Sequence, residues 1–354
     1  MNDDTTDVRT EDALDVARLH VWLQENAPDI AAAGSEPPTM RQFAGGASNL
    51  TYLLTYGPED YVLRRPPRGH RASSAHDMKR EVTVQQRLRP LYPLVPNVLA
   101  YCDDPSVMGD EFYVMSRIPG TILRRDLPPG LILSAQQARD LAFTVIDAQA
   151  DLHSIDPVAA GLEDLGRGPG YVQRQVSGWS RRYRDAVTDD APDAESVMAW
   201  LDAHRPDDLG TRLIHGDWRL DNLVLDLGEE PRIAGVLDWE MATVGDPLMD
   251  VGASLAYWIT EDDDEEFQLM RLQPTNLPGM PTRDEYVARY LERTGFAVDD
   301  WRFYEVYGLF RLAVIAQQIW YRYRLGESTN PALAKFGPAV TMLIRRAERR
   351  IADR

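Results

Sequence analysis

The segment His215-Gly-Asp-Trp-Arg-Leu-Asp-Asn222 constrains the fold of this chain more than any other feature of its sequence. Short apolar runs precede and follow it, and a further run leads into Leu237-Asp238-Trp239-Glu240. Apolar runs bounded by polar turns are typical of strands. We therefore predict a tight loop that presents Asp217 outward, a hairpin that returns Asp238 beside Asn222, and strands over 212–215, 222–226 and 233–239.

The polar side chains of these two loops have the chemistry that phosphoryl transfer requires. A carboxylate must accept or orient the proton of the attacking hydroxyl, and Asp217 is placed for that role. Oxygen ligands must hold Mg²⁺ against the phosphates, and Asn222 and Asp238 can supply them. An ordinary turn with a capping asparagine would explain the first cluster alone. It does not explain a second polar cluster at the end of the next strand.

The rest of the chain divides into a part rich in short strands and a part rich in helices. One helix is predicted before the strands and one among them. Apolar residues at every second position predict the strands, and apolar residues at helical spacing predict the helices. Strands are predicted over 41–43, 50–56, 61–65, 98–102 and 111–116, and helices over 12–26, 75–88, 134–153, 248–258, 283–294, 301–325 and 331–351. The predicted fold class is α+β: a small antiparallel sheet with one inserted helix, followed by a larger, mainly helical region.

These elements predict three parts of the chain. Residues 1–38 form an N-terminal tail and helix, with disorder predicted up to Glu11 from its polar composition. Residues 39–118 form a sheet-rich lobe. Residues 119–354 form a helical lobe that contains the segment 215–222; the family resemblance given below implies that this segment is the catalytic loop and that the later helices bind substrate.

Composition disfavours several classes of partner. The chain has 354 residues and a formal net charge of −18, which disfavours nucleic acid and anionic membranes. No apolar run is long enough to predict a transmembrane helix, and Met1–Glu11 lacks the features of a signal peptide. The single cysteine, Cys102, cannot form an internal disulfide, so a cytoplasmic protein is predicted. The acidic run 261–266 is predicted to be a solvated loop.

The pattern His215-Gly-Asp217 with Asn222, followed by Asp238, resembles that of the aminoglycoside phosphotransferase and choline-kinase-like superfamily, relatives of the protein kinases. The resemblance implies a bilobal, protein-kinase-like fold and an enzyme that transfers the γ-phosphoryl group of ATP to a small-molecule hydroxyl. It implies that Asp217 is the catalytic base and that Asn222 and Asp238 are Mg²⁺ ligands. His215 would be a structural residue of the loop.

The same resemblance assigns nucleotide-binding residues in the sheet-rich lobe. Residues 43–52 correspond to the phosphate-covering loop, with Ser48 and Asn49 as candidate contacts. Arg64 stands where the superfamily has an ATP-binding lysine, and its expected ion-pair partner is Glu81 on the inserted helix. Arginine can bind phosphate bidentately, but its geometry differs from that of lysine. This departure leaves open a nucleotide-binding, pseudokinase-like module that does not transfer phosphate.

The segment 112–120 resembles the hinge between the lobes. Met115 would border the adenine, and the backbones of Ser116 and Ile118 would bond to it. A core strand that ends in a Pro-Gly turn would have the same sequence, so this assignment supports the others without standing alone.

The substrate is left open by the sequence. Residues 61–69, followed by 74–81, resemble the subgroup related to kinase domains fused to acyl-CoA dehydrogenases, which implies a hydroxyacyl-CoA acceptor. The charge of −18 and the acidic run would instead suit a polycationic aminoglycoside. An arginine cluster that would suit a CoA ester is equally well explained as a solvated face: Arg64, Arg65, Arg68 and Arg71. The oligomeric state is not predicted.

Overall fold

The computed structural model describes residues 5–32, 34, 36–43, 49–67, 77–228, 230–328 and 330–353. The chain forms two compact units. The first comprises Met1–Thr121, Val224–Leu227 and Ile233–Ala242, and the second comprises Ile122–Leu223, Gly228–Arg232 and Thr243–Arg354.

The described strands belong to three sheets. They are β1 (Thr5–Thr6), β2 (Thr39–Phe43), β3 (Leu50–Tyr56), β4 (Glu59–Arg65), β5 (Val98–Cys102), β6 (Phe112–Ser116), β7 (Arg212–Ile214), β8 (Leu223–Asp226), β9 (Arg232–Val236) and β10 (Thr243–Gly245). A six-stranded sheet has the order β1-β2-β3-β4-β6-β5, and β7 pairs with β10 and β8 with β9. Every paired strand of the six-stranded sheet runs antiparallel to its neighbour.

Helices fill the second unit and flank the sheet of the first. They are α1 (Val16–Asn26), α2 (Pro28–Ala31), α3 (Met78–Leu88), α4 (Pro105–Met108), α5 (Ala135–Ser154), α6 (Tyr171–Asp185), α7 (Glu195–Ala203), α8 (Pro247–Leu255), α9 (Glu265–Gln268), α10 (Arg283–Thr294), α11 (Arg302–Arg324) and α12 (Phe336–Ala352). Short 3₁₀ turns occur at Thr10–Asp12, Glu163–Leu165, Leu220–Asn222, Trp239–Met241 and Pro331–Lys335.

The core of the first unit follows from the alternation of β3. Tyr52 and Leu54 point to the same face and pack with Leu19 and Leu23, which α1 contributes at helical spacing. On another part of the sheet, α3 packs Met78 and Val82 against β6. Asp77 caps α3 by accepting a bond from the Arg80 N–H at 2.8 Å.

The core of the second unit is a helical cluster that includes aromatic side chains of α10, of α11 and of the segment after α8. Trp258, Tyr304 and Tyr307 are buried in it. Helices α8 and α11 approach closely through two glycines: a Cβ on Gly308 would lie 2.0 Å from the carbonyl oxygen of Gly252. The α+β fold class predicted from the sequence is confirmed.

Three local predictions are wrong. The strand predicted over 233–239 ends at Val236, because Asp238 adopts a left-handed conformation and a 3₁₀ turn follows. The prediction of disorder up to Glu11 is wrong for the residues from Thr5 onward, because Thr5 pairs with Phe43 in the sheet.

The acidic run 261–266 is not wholly a solvated loop. The Asp263 carboxylate is 4% exposed and lies between Arg283 and Arg346, and Asp264 caps α9. Across the described residues, no helix is both long enough and apolar enough to cross a membrane.

Candidate active site

The catalytic-loop segment begins where β7 ends. His215 is fully buried, and its Nδ1 accepts a bond from the Asp217 N–H at 3.3 Å. Its ring meets Trp218 edge-on, with centroids 5.8 Å apart. Gly216 has a φ of 82°, a conformation that favours glycine. His215 therefore shapes the loop from inside, as predicted.

Asp217 and Asn222 are brought together by the 3₁₀ turn between them. The Asn222 amide Nδ2 donates to the Asp217 carbonyl oxygen at 2.9 Å and to its carboxylate Oδ2 at 3.0 Å. Gln273 fixes the turn by accepting a bond from the Leu220 N–H at 2.6 Å. The Asp217 side chain remains 23% exposed. Its carboxylate is thus oriented and still accessible, and none of the residues that the structure describes donates to the Asn222 amide oxygen, which can accept from another donor or bind a cation.

Asp250 holds the loop from beneath. Its Oδ1 accepts a bond from the Gly216 N–H at 2.8 Å, and its Oδ2 lies 3.1 Å from His153 Nε2 and 3.3 Å from Gln149 Nε2. Burial raises the pKa of Asp250, but the hydrogen bond from His153, the electrostatic influence of His153 and His215, and the Gly216 N–H outweigh burial, so this pKa is lowered. Asp250 therefore stays ionised, and His153 is a buried structural residue.

Arg219 lies beside the Asp217 carboxylate. Its Nε is 3.5 Å from Asp217 Oδ1, its Nη2 is 2.9 Å from Asp221 Oδ2, and its guanidinium lies 4.7 Å from the ring centre of Tyr257. Burial acts to lower the pKa of Arg219. The interactions with Asp217, Tyr257 and Asp221 outweigh burial, so this pKa is raised. Burial raises the pKa of Asp221, which Arg219 partly offsets. Arg219 therefore stays cationic next to the predicted base.

Arg64 is the centre of a buried charge network in the first unit. Its Nη1 lies 2.9 Å from Glu81 Oε1, and its Nη2 lies 3.0 Å from Asp238 Oδ1. The Tyr113 hydroxyl donates to Glu81 at 2.9 Å. The predicted ion pair between Arg64 and Glu81 is therefore present, and the arginine fork also reaches the predicted metal ligand Asp238.

The pKa shifts of this network keep Arg64 charged. Burial acts to lower the pKa of Arg64, but Glu81, Tyr113 and Asp238 outweigh it and hold the pKa well above its usual range. Burial raises the pKa of Glu81, and the charge of Arg64 offsets only part of that rise. A lysine has one nitrogen at its end and could not reach Glu81 and Asp238 in the same fork geometry.

Asp238 is the one non-glycine residue with a positive φ, 67°, in the described part of the chain. Such a conformation in a non-glycine residue is uncommon and often marks a functional site. The loop after it is anchored on two sides. Asn49 Nδ2 donates to Glu240 Oε2 at 2.9 Å, and Arg80 donates to the carbonyl oxygens of Glu240, at 2.9 Å, and Ala242.

The predicted hinge residues lie at the end of β6. Met115 is buried there. The Ser116 N–H donates to the Asn97 carbonyl at 2.9 Å. Ile118 packs on Gly235, where a Cβ would lie 2.3 Å from Ile118 Cδ1. Predicted positions that lie outside the described residues are Ser48, Arg68 and Arg71, together with the rest of 44–48 and 68–76.

The two predicted oxygen donors, Asn222 and Asp238, are of the kind that binds Mg²⁺ together with substrate phosphates. Within the described ranges, no group of three or more His, Cys, Asp or Glu side chains could hold a metal ion. Mg²⁺ usually keeps several waters and takes one or two protein ligands plus substrate phosphates. The Asn222 amide oxygen, in the second unit, and the partly exposed Asp238 carboxylate, in the first, are donors of that kind.

Three neighbours of Asp217 were not predicted as functional. Arg219 lies inside the motif and could have been found from its place two residues after Asp217. Asp250 lies outside both predicted loops, in the helix predicted over 248–258. Arg311, whose Nη2 donates to the Gly216 carbonyl at 2.8 Å, is 95 residues away and has no local signal.

Similarity to known proteins shows the family of this chain. A model of the phosphotransferase enzyme family (APH) matches residues 39–307. Acyl-CoA dehydrogenase family member 11 from Pongo abelii is 32% identical over 342 residues, which are 92% of this chain and 42% of that protein. The chain thus spans about two fifths of the length of this curated relative.

Two solved structures share the fold. A protein from Ralstonia eutropha, provisionally named an aminoglycoside phosphotransferase, is 31% identical with a TM-score of 0.79 over 95% of this chain and 99% of that one. Spectinomycin phosphotransferase in complex with ADP and spectinomycin is 10% identical, with a TM-score of 0.57 over 95% of this chain and 98% of that one, which shows the fold alone. The predicted superfamily and enzyme class are confirmed, and this chain belongs to the phosphotransferase enzyme family.

Proposed function

We propose that this protein transfers the γ-phosphoryl group of ATP to a hydroxyl of a small molecule, with Mg²⁺. The observation that carries the proposal is the Asp217 carboxylate, which Asn222 orients at 3.0 Å while part of it stays accessible. A general base needs both properties, because it must meet the hydroxyl in one geometry and still be reached by it.

Each remaining residue has a role in this proposal. Asp217 accepts the proton of the attacking hydroxyl, and Asp250 holds the loop that carries it. Arg64, oriented by Glu81, binds the nucleotide phosphates, and Asn49 borders them. Mg²⁺ held by Asn222 and Asp238 would neutralise phosphate charge as it shifts during transfer. Adenine would lie against Met115 and bond to the backbones of Ser116 and Ile118.

The choice of nucleotide rests on the fold and on one relative. Spectinomycin phosphotransferase is named in complex with ADP. Isothermal titration of the full chain with ATP, ADP, GTP and GDP in the presence of Mg²⁺ tests this choice. Preference for guanine nucleotides would contradict the adenine assignment while leaving phosphate transfer open.

Transfer is tested by ADP release over a panel of hydroxyl compounds: an aminoglycoside, choline, sugars and a hydroxyacyl-CoA. Asp217→Asn should slow ADP release by roughly 10²- to 10⁴-fold and keep nucleotide binding. Asp202→Asn, at an exposed surface carboxylate, is the matched control and should behave like the native chain. Full activity of Asp217→Asn would contradict the base assignment.

A second candidate is a hydroxyacyl-CoA kinase. The relative from Pongo abelii is named for an acyl-CoA dehydrogenase, and the chain matches 42% of its length. Phosphorylation of a hydroxyacyl-CoA at a much higher kcat/KM than an aminoglycoside would favour this candidate.

A nucleotide-binding module without transfer remains the alternative from a different class, because Arg64 replaces a lysine. The intact Arg64–Glu81 pair, at 2.9 Å, speaks against it. ATP binding without ADP release across the whole panel would favour it.

A further inference from the structure

Arg311 is a buried cation without a carboxylate partner. It is 7% exposed, and its Nη2 donates to the Gly216 carbonyl at 2.8 Å. Among the described residues, no carboxylate lies within 4.0 Å of its guanidinium. Its Nε and Nη1 donate to none of these residues, and neither is among their polar atoms sealed from solvent. These two nitrogens therefore face a space that solvent can enter.

The carboxylates near Arg311 are committed elsewhere. Asp250 accepts a bond from the Gly216 N–H, and its other carboxylate oxygen lies 3.1 Å from His153 Nε2. Asp217 also acts electrostatically on Arg311, but it lies beyond ion-pair distance, and its carboxylate is bound by the Asn222 amide at 3.0 Å. A charge buried without a partner is unfavourable, so a residue of this kind is typical of a site that a ligand completes.

The position of Arg311 relates it to the proposed base. Gly216, whose carbonyl it binds, directly precedes Asp217, and consecutive Cα atoms are about 3.8 Å apart. The Arg219 guanidinium lies 4.7 Å from the ring centre of the buried Tyr257, and the charges of Asp217 and Arg311 both act on the pKa of this tyrosine. The Arg311 guanidinium lies 5.4 Å from the ring centre of Trp179, which fixes the direction of its planar fork.

We propose that Arg311 binds an oxyanion, a carboxylate or a phosphate, that the acceptor carries close to the hydroxyl that is phosphorylated. The proposal rests on the proposed function and adds the substrate class to it. An arginine fork binds both kinds of oxyanion through paired N–H donors. Arg311 is then a specificity-determining residue.

This charge arrangement separates the candidate acceptors. The ammonium groups of an aminoglycoside would find Asp217 as the accessible carboxylate here and would meet the positive charge of Arg311. A hydroxyacyl thioester is uncharged near its hydroxyl and carries its phosphates at the opposite end of the molecule. A free hydroxy acid or a phosphorylated alcohol matches Arg311 directly.

The test compares binding of matched compounds to the full chain saturated with Mg²⁺ and ADP, so that the nucleotide phosphate site is filled. The pairs are hydroxybutyrate with hydroxybutyramide, and glycerol phosphate with glycerol, with kanamycin as the cationic compound. Isothermal titration should show that the anionic member of at least one pair binds more tightly than its neutral partner, by roughly tenfold to a hundredfold. Which pair responds distinguishes carboxylate from phosphate.

Variants connect that preference with Arg311. Arg311→Met should abolish it, and Arg311→Lys should retain only part, because one ammonium group cannot bond Gly216 and hold an oxyanion bidentately. Arg322→Met, at an exposed arginine of the same helix, is the control and should keep the full preference. ADP affinity of each variant reports folding.

Several results would overturn the inference: tighter binding of the neutral or cationic compounds, no binding of either anion, or native affinity in Arg311→Lys. If Arg311→Met does not fold, the lysine variant decides alone. ADP release is followed in parallel. Anion binding through Arg311 without any transfer would contradict the proposed function and leave the oxyanion site standing.

Discussion

Glu81→Gln tests the buried charge network with the smallest change of shape. The Glu81 and Arg64 side chains are 1% and 10% exposed, so water cannot replace the lost charge. Removing one partner of a buried ion pair costs about 3–5 kcal/mol. Arg64 keeps Asp238 at 3.0 Å as a second partner, so we expect about 3 kcal/mol, the lower end of this range. The midpoint of thermal unfolding should fall by about 4 °C, because the unfolding entropy is about 2.1 cal/mol/K for each of the 354 residues.

The matched control for this change is Glu195→Gln. Glu195 is also paired with an arginine, Arg184, at 2.6 Å, but the two side chains are 58% and 52% exposed. Surface pairs are screened by water and salt, so this variant should unfold at the native temperature. Thermal and denaturant unfolding of the native chain and both variants supply the comparison, and ADP titration checks that Glu81→Gln also weakens nucleotide binding. Equal midpoints for the two variants would refute the reasoning, because Arg64 would then be held by Asp238 without help from Glu81.

Three further predictions concern the second unit. Asp217→Asn should lower kcat by roughly 10²- to 10⁴-fold, the usual contribution of a general base, with ADP affinity from titration unchanged. Gly308→Ala should lower the free energy of unfolding by on the order of 1–3 kcal/mol or more, because its Cβ would lie 2.0 Å from the Gly252 carbonyl oxygen. Gly178→Ala is its control, since the nearest atom to the new Cβ is 3.8 Å away. The lowered pKa of Asp250 adds stability above the ordinary aspartate pKa that is lost as pH falls through the lowered value. Asp250→Asn should therefore show a shallower fall of unfolding temperature in acid.

The sequence predicted those strands and helices whose apolar residues repeat at regular spacing within the element itself. The strand Leu50–Tyr56 and the helix Arg283–Thr294 have the predicted bounds, because alternation in one and helical spacing in the other place apolar side chains on one face. The strand predicted to end at Trp239 stops at Val236 because the backbone of Asp238 turns to a φ of 67°. The spacing of apolar residues does not show that the backbone of a single residue adopts a left-handed conformation.

In the candidate site, too, some contacts could be predicted from the sequence and others could not. Resemblance predicted the pair of Arg64 and Glu81, and the structure contains it at 2.9 Å. The contacts that hold the catalytic loop could not be predicted, because they join distant segments. Gly216 is bound by Asp250 and Arg311, which are 34 and 95 residues away, and Leu220 by Gln273, which is 53 residues away. Single side-chain bonds of this kind leave no period in either segment.

Net charge illustrates why a property of the whole chain does not identify an acceptor. The formal charge of −18 and the acidic run 261–266 suit a polycation. Yet Asp263 of that run is 4% exposed and lies between Arg283 and Arg346, so its charge stabilises helices instead of facing a ligand. Arg311, which binds the carbonyl of the residue before the proposed base, is a buried cation with no carboxylate within ion-pair distance in the described part of the chain. Electrostatic energy falls with distance and with screening, so the charges nearest the reacting hydroxyl decide which acceptor binds. A protein can therefore be acidic overall and still select an anionic acceptor.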